Sequence, residues 1–461
     1  MSSNFIGKKG IVTHFAPDAD AVLATALLLL ATDRNRSRQL RNNIILVPSG
    51  PLPKEYQHPE DWIIIDVGGA SVSPFDHHGL DGDKVSSMEL MARHLGWDQK
   101  PWLRPLLDWL NRQDQQGINL RIQGKNGAQE FSAEDLLITA VMRGASNIRW
   151  SPFKVSMAEQ IMSFRQLILL AQFMIRHFQR VEGNGFTPSA EATRLLQYSL
   201  AQAIAQDSHL LMPELEEFVS LADCINQLNR QMNDGEESGE AFDFFTQPGS
   251  MDCLRLVASP DLLVKEQYPG DRELARNISL IGIAQELERD RNLPGPRKVK
   301  ILADAWQSIL AIKADWLLAK NEVKNGKVVR HQIGKRLVAM VRSDCYASSK
   351  ALRNCCNGNP QKADVQIIIF STGHVRITCN NRDSELQRKM PKVAYLIRRE
   401  EAKARKTNLP TARLRAVNEL VLDWHLTDFG GLFNGTLTNP VVEPTKLTPE
   451  RIFQLVCEGL R

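Results

Sequence analysis

The sequence predicts an α/β protein in three parts: an N-terminal parallel-sheet domain (1–130), a mostly helical insert (131–330) and a smaller, basic C-terminal α/β domain (331–461). Three observations predict it. Short β-branched runs alternate with helical segments over residues 10–120, the pattern of a buried parallel sheet. Apolar residues then recur at helical spacing through the middle of the chain. Strand-like runs return after residue 336.

Taken in order, Gly10-Ile-Val-Thr-His14 is an apolar run ending in polar residues, and Asp18 to Thr32 is a helix with acidic residues in its first turn. Asn43 to Pro48 and Trp62 to Val67 are the next two strands, the latter followed by Gly68-Gly69. Ligands of such sheets bind beyond the carboxyl ends of the strands, where His14 and Asp66 fall. Residues 130–235 read as helical throughout, most clearly Met157 to Arg180 with Ile161, Phe164, Leu167, Ile168, Ala171 and Ile175 in phase. The acidic, glycine-bearing Asn233-Asp-Gly-Glu-Glu-Ser-Gly-Glu is a candidate hinge, and Pro294-Gly-Pro-Arg marks a break. Alternation then gives strands at Arg336–Arg342, Val365–Phe370 and His374–Cys379, the last two joined by a hairpin-like turn at Ser371-Thr-Gly.

A chain of 461 residues has room for two or three domains at roughly 150 residues each. The net charge of +4 hides an asymmetry. Residues 291–461 hold 30 Lys+Arg against 15 Asp+Glu, whereas residues 1–290 hold 27 against 38. A basic part attracts polyanions, and an acidic part can supply metal-binding carboxylates. The 7 cysteines are scattered without a Cys-x-x-Cys pair, which argues against a zinc ribbon or disulfide framework and fits a reducing cytosol. The adjacent Cys355-Cys356 reads as small residues near a turn rather than a redox pair. The apolar run Ala21–Ala31 is about half the length of a bilayer span, and Met-Ser-Ser-Asn-Phe has no apolar leader core. The expectation is a cytoplasmic protein without a membrane partner.

The chemistry concentrates in the first part. His14-x-x-x-Asp18-x-Asp20 follows the first strand, Asp66 ends the third, Asp76-His77-His78 comes ten residues later with Gly79 behind it, and Asp114 follows in Asn111-Arg-Gln-Asp-Gln-Gln-Gly117. Hard divalent cations favour carboxylates, and added imidazoles move the preference toward manganese, iron or cobalt. Two cations a few ångströms apart need a carboxylate between them and separate ligands for each, an arrangement suited to in-line attack on a phosphate. Each group alone has a plainer explanation: Asp18 as a helix N-cap, Asp66 as a turn residue, Asp76-His77-His78 as a surface loop. Their order and spacing together favour metal binding.

At these residues the chain resembles the DHH phosphoesterases, a superfamily of RecJ-type exonucleases, nano-RNases, cyclic-dinucleotide phosphodiesterases and family II pyrophosphatases. The resemblance covers about residues 8–120, and Ile65-Asp66-Val-Gly-Gly with Phe75-Asp-His-His-Gly79 is similar to its exonuclease-like branch. It implies a two-cation hydrolase, with Mn2+ expected and Mg2+ or Co2+ open. His14 and Asp18 would bind one cation, Asp20 and His77 the other, and Asp66 and Asp114 would bridge or share the pair. His78 would face the phosphate, and Asp76 would orient a histidine. Asp108 could stand in for Asp114.

The resemblance also implies a C-terminal substrate-binding domain. Asp428-Phe-Gly430-Gly431-Leu-Phe-Asn434-Gly435-Thr436 resembles its glycine-rich loop, without the His and Ala residues that usually follow the glycines. Gly430 and Gly431 would bring backbone amides to phosphate or ribose. Arg376 and Arg382 would clamp phosphates, and Arg398 to Thr407 looks like a basic helix able to track a nucleic-acid backbone. The insert is far longer than the family's usual linker. It is open as a lid, a homo-oligomer interface or a docking surface for a protein partner. The expected activity is exonucleolytic on single-stranded DNA or RNA ends. The alternatives are hydrolysis of cyclic dinucleotides, short oligonucleotides or pyrophosphate, and a subunit active only with a partner.

Overall fold

The computed structural model describes residues 5, 7–15, 17–48, 52–78, 85–116, 121–123, 129–132, 156–180, 189–206, 280–325, 328–345, 347–354, 363–379, 383–417, 419–427, 430–435 and 442–461. The chain is mixed α/β and divides into two compact units: Met1–Leu46, Glu55–Arg149 and Ser156–Ala314, and Val47–Lys54, Trp150–Val155 and Asp315–Arg461.

The first unit is built on a three-stranded sheet of β1 (Gly10–His14), β2 (Ile44–Val47) and β3 (Trp62–Ile64), in the order β2-β1-β3. Strands β1 and β3 run parallel, with Gly10, Ile11 and Val12 opposite Trp62, Ile63 and Ile64. All five residues of β1 are buried, which is why the sequence there runs apolar without alternation. Helix α1 (Ala19–Ala31) starts at the N-cap Asp18, whose carboxylate accepts from the amides of Asp20 and Ala21. Helix α2 (Arg34–Asn42) leads to β2, α3 (Ser87–Leu95) follows the Asp76-His77-His78 loop, and α4 (Arg104–Gln116) completes the region.

The described helices of the middle segment share this core. Helix α5 (Met157–Arg180) has the bounds its periodicity predicts, and α6 (Ala190–Gln206) and α7 (Leu280–Arg289) follow. Phe164, Ile168, Phe173, Leu196 and Leu287 belong to the same buried cluster as Leu23 and Leu27 of α1. Helix α8 (Gly295–Lys324) begins in the first unit and ends in the second. The expectation of continuous helix from residue 130 fails at its start. There β5 (Gln129–Ser132) pairs antiparallel with β4 (Arg121–Gln123), a pairing between segments that no helical periodicity anticipates. Asn233–Glu240 and Cys355-Cys356 lie outside the described residues.

The second unit carries a seven-stranded sheet in the order β10-β11-β12-β9-β8-β7-β6. Its strands are β6 (Val328–Ile333), β7 (Arg336–Arg342), β8 (Val365–Ile369), β9 (Val375–Cys379), β10 (Leu420–Val421), β11 (Trp424–Leu426) and β12 (Leu432–Asn434). Only β7 and β8 run parallel; the other neighbours are antiparallel. The expected turn at Ser371-Thr-Gly closes with Gly373 at φ 84°, its amide donating to Phe370 O. One sheet face packs Val338, Ile367 and Ile377 against α10 (Ser384–Ala404) and α11 (Pro449–Leu460). The opposite face packs Ala339, Val341 and Ile368 against α9 (Ser348–Asn354). Among the described residues no helix is long and apolar enough to cross a membrane.

Candidate metal centre

The carboxyl ends of β1 and β3 gather most of the acidic and histidine residues the sequence singled out. His14 is the last residue of β1, and its ring splits into two jobs. Nδ1 lies 2.9 Å from Phe15 O, a carbonyl that can only accept, so Nδ1 carries hydrogen. Nε2 is then directed at Asp66 Oδ2, 3.3 Å away. Burial would lower the His14 pKa, but the hydrogen bond and charge of Asp66, with Asp18 behind it, outweigh this and raise it to about 9. In the same contact Asp66 is held well below the usual carboxylate range: burial opposes this, and the His14 and His77 hydrogen bonds overcome it.

Asp66 is the hub. It follows β3 with φ 57°, a left-handed conformation that Asp tolerates better than most residues. Its two oxygens face different partners. Oδ2 meets His14, while Oδ1 lies 3.4 Å from His77 Nε2, 3.8 Å from His78 Nδ1 and 3.0 Å from Ser87 Oγ. Among the described residues, two groups therefore offer ligand atoms within 4.8 Å of one another: His14, Asp18 and Asp66, and Asp66, His77 and His78. Asp66 belongs to both. Asp18 spends Oδ1 on the amides of α1, at 2.9 and 3.2 Å, while standing in the first group.

The loop from Gly69 to His78 is closed on itself by Asp76. This buried carboxylate accepts from the amides of Gly69 (2.6 Å) and His78 (2.9 Å), and its Oδ1 lies 2.6 Å from His78 Nδ1. Desolvation would lower the His78 pKa, but Asp76 and Asp66 raise it. The His78 side chain is half exposed, while that of His77 is 17% exposed and sits beside it with ring centroids 4.3 Å apart.

Asp20 occupies a different position from a plain ligand. Both its oxygens take amide hydrogens from the first turn of α3: Ser87 N to Oδ2 at 2.6 Å and Met88 N to Oδ1 at 2.9 Å. His77 Nε2 approaches Oδ2 only to 3.9 Å. Asp20 thus serves first as a cap for α3, supplied from α1. Asp114 falls within α4, but its side chain lies outside the described residues. Asp108 is paired with Arg104 at 2.6 Å.

In the second unit, Arg376 is half-buried on β9, opposite Ile368 of β8 and Phe433 of β12. Arg353 of α9 reaches Gln366 Oε1 at 3.4 Å; burial and the positive charge of Arg376 lower its pKa. Arg382 lies outside the described residues. Gly430 and Gly431 are buried, and their amides donate to Thr427 O and Thr427 Oγ1. A Cβ at Gly431 would stand 2.6 Å from the Phe433 ring, and one at Gly430 3.0 Å from Cys379 Sγ. The glycine pair thus makes room for side chains, and both amides are already engaged. The basic helix expected around Arg398 is real, but Arg398 points inward. It is fully buried and donates to the carbonyls of Leu414, Ala416, Glu419 and Trp424.

Ser87, Arg353 and Phe433 escaped the sequence reading. Ser86-Ser87 ahead of an apolar run is a visible helix-start signal, but nothing local ties Ser87 to a residue 21 positions earlier. No family model matches the chain, and neither a curated protein nor a solved structure matches it.

Proposed function

We propose that this chain is a two-cation phosphoester hydrolase of the DHH type, acting as an exonuclease on the ends of single-stranded DNA or RNA. One observation supports the reading above all: two groups of ligand atoms share a single buried carboxylate, Asp66, whose oxygens face one group each. The donor set fits divalent cations, since carboxylate and imidazole mixed in this way suit manganese, with magnesium or cobalt as alternatives. In this reading His14, Asp18 and Asp66 hold one cation, Asp66 and His77 hold the other, and Asp20 stands beside His77. Such a pair would supply the positive charge that acidifies an attacking water and offsets charge developing on the phosphate.

The protein's own groups do the rest. Phe15 O fixes the His14 ring so that Nε2 is the ligating atom. Asp76 orients the His78 ring through Nδ1, leaving Nε2 toward the substrate side. The pKa of His78 is raised, so its exposed edge can present a proton or a positive charge to a phosphate oxygen. Arg376 and Arg353 would hold strand phosphates, in a region whose surplus of basic residues favours polyanions.

A second reading, a phosphodiesterase or pyrophosphatase for small substrates, draws on the glycine pair. Its amides are engaged with Thr427, which weakens the case for a strand-gripping loop. Salt separates the two, because strand binding through several phosphates weakens steeply as salt rises. The direct test is incubation with Mn2+ and single-stranded DNA and RNA labelled at either end, beside an Asp76→Ala/His77→Ala double variant. Stepwise shortening that disappears in the variant is expected. Intact strands in the presence of bound Mn2+ would reject the stand-alone exonuclease and leave the small-substrate reading.

A further inference from the structure

We propose that Ser87 is a positioning residue for the second cation, the one beside His77. The proposal rests on the two-cation reading and names a residue outside the ligand set. Ser87 opens α3, is fully buried, and makes two bonds at once. Its amide donates to Asp20 Oδ2 at 2.6 Å, and its hydroxyl lies 3.0 Å from Asp66 Oδ1. A carboxylate only accepts, so the hydroxyl hydrogen goes to Asp66.

The accounting at the helix start shows why this arrangement is stable. The first amides of a helix have no partner within it. In α3 those of Ser87 and Met88 go to the two oxygens of Asp20, and that of Glu89 goes to the N-cap Ser86 Oγ at 3.3 Å. The helix end is therefore satisfied by backbone contacts to Asp20 and by Ser86, without the Ser87 hydroxyl. That hydroxyl is surplus to helix capping and is spent on Asp66.

The choice of oxygen gives the bond its selectivity. Oδ1 is the oxygen that faces His77 and His78, whereas Oδ2 faces His14. Asp66 also sits in a left-handed backbone conformation, where its direction needs outside support. The Ser87 hydroxyl bonds the oxygen on the second-cation side and leaves the His14 side alone. Removing it should loosen the second site and spare the first.

The test is a Mn2+ titration of the full chain by calorimetry, with electron paramagnetic resonance to detect the coupled pair. Wild type should take up two ions. Ser87→Ala should weaken one of them by about 10–100-fold, the range for losing a supporting bond to a ligand. It should also lose the coupled-pair signal at limiting Mn2+ while the metal-free protein stays folded, its melting temperature lowered only by the loss of one buried hydrogen bond. Ser87→Thr should restore both readouts. If Ser87→Ala folds poorly, Ser87→Cys keeps the volume with a weaker donor and should show an intermediate affinity. Two ions bound with unchanged affinities by a folded Ser87→Ala or Ser87→Cys would overturn the proposal alone. Absence of Mn2+ uptake by wild type would overturn the two-cation reading and the proposal with it.

Discussion

The Asp66 centre of the first unit and the Glu401 centre of the second bury charge in different ways. In the second unit the buried Glu401 and Arg398 have fixed counterparts. Glu401, fully buried, receives Arg405 Nε at 2.7 Å, Lys446 N at 3.0 Å and Trp424 Nε1 at 3.4 Å. Arg405 goes on to Asp423 at 2.6 Å, and Arg398 is wrapped in four carbonyls. In the first unit the buried Asp66 faces three imidazoles and lies close enough to Asp18 to share a ligand group. A buried charge with permanent partners makes each partner costly to remove. Around Asp66 the charged partners are imidazoles, with the Ser87 hydroxyl beside them, and in the reading proposed above the imidazoles would exchange protons for a cation. The contrast separates scaffold from site without appeal to any motif.

The sharpest way to break this contrast is Asp66→Asn. Asn accepts the left-handed backbone, so the fold should survive while both ligand groups lose their shared member. The nuclease activity proposed above should fall by more than about 10³-fold, about 4 kcal/mol of transition-state stabilisation. Mn2+ uptake should become undetectable by calorimetry. If Asp66→Asn keeps wild-type Mn2+ affinity, the hub assignment is wrong. The complementary change is Glu401→Ala, which leaves buried donors without an acceptor. It should destabilise the second unit by about 3–5 kcal/mol in urea unfolding. Activity per folded molecule should stay near wild type.

A smaller effect contrasts two histidines of the first unit. His14 has its folded pKa raised to about 9, so its contribution to metal-free stability is full below about pH 6.5. That contribution drains away as pH rises through 9. His177 on α5 is buried with neither ring nitrogen hydrogen-bonded among the described residues, and burial, then Arg289 and Arg180, lower its pKa to about 4. Its contribution is full above pH 6.5 and is lost as pH falls through 4. Melting temperatures of the metal-free protein should therefore decline toward both ends. His14→Gln should flatten the alkaline limb and His177→Leu the acid limb, each by on the order of 1–2 kcal/mol. Swapped limbs would invert the electrostatic picture.

Much of this was legible in the sequence because it is periodic or local. The runs at Gly10–His14 and Arg336–Arg342 are strands, and Met157–Arg180 is a helix, because burial on one face or both leaves a fixed rhythm. His14, Asp66 and Asp76-His77-His78 stood out because they cluster at strand ends. What was hidden depends on contacts between distant segments. Asp20 reads as one more carboxylate until α3 is seen to rest its first turn on it. Arg398 reads as surface charge, since a guanidinium wrapped in carbonyls looks in sequence like one bathed in water. Gly430 and Gly431 invite a phosphate-binding reading, and only the neighbouring Phe433 and Cys379 reveal what the missing Cβ atoms make room for.

The ring that Asp76 closes has a kinetic meaning. Ala70 N donates to His78 O at 3.0 Å, and Asp76 ties Gly69 to His78, so the segment carrying both imidazoles is cinched at its base. In the two-cation reading, that closure would leave less chain motion to freeze on binding. Capture should then run at the pace at which the ion sheds its hydration water, and ions that shed water slowly should load slowly however tightly they finally hold.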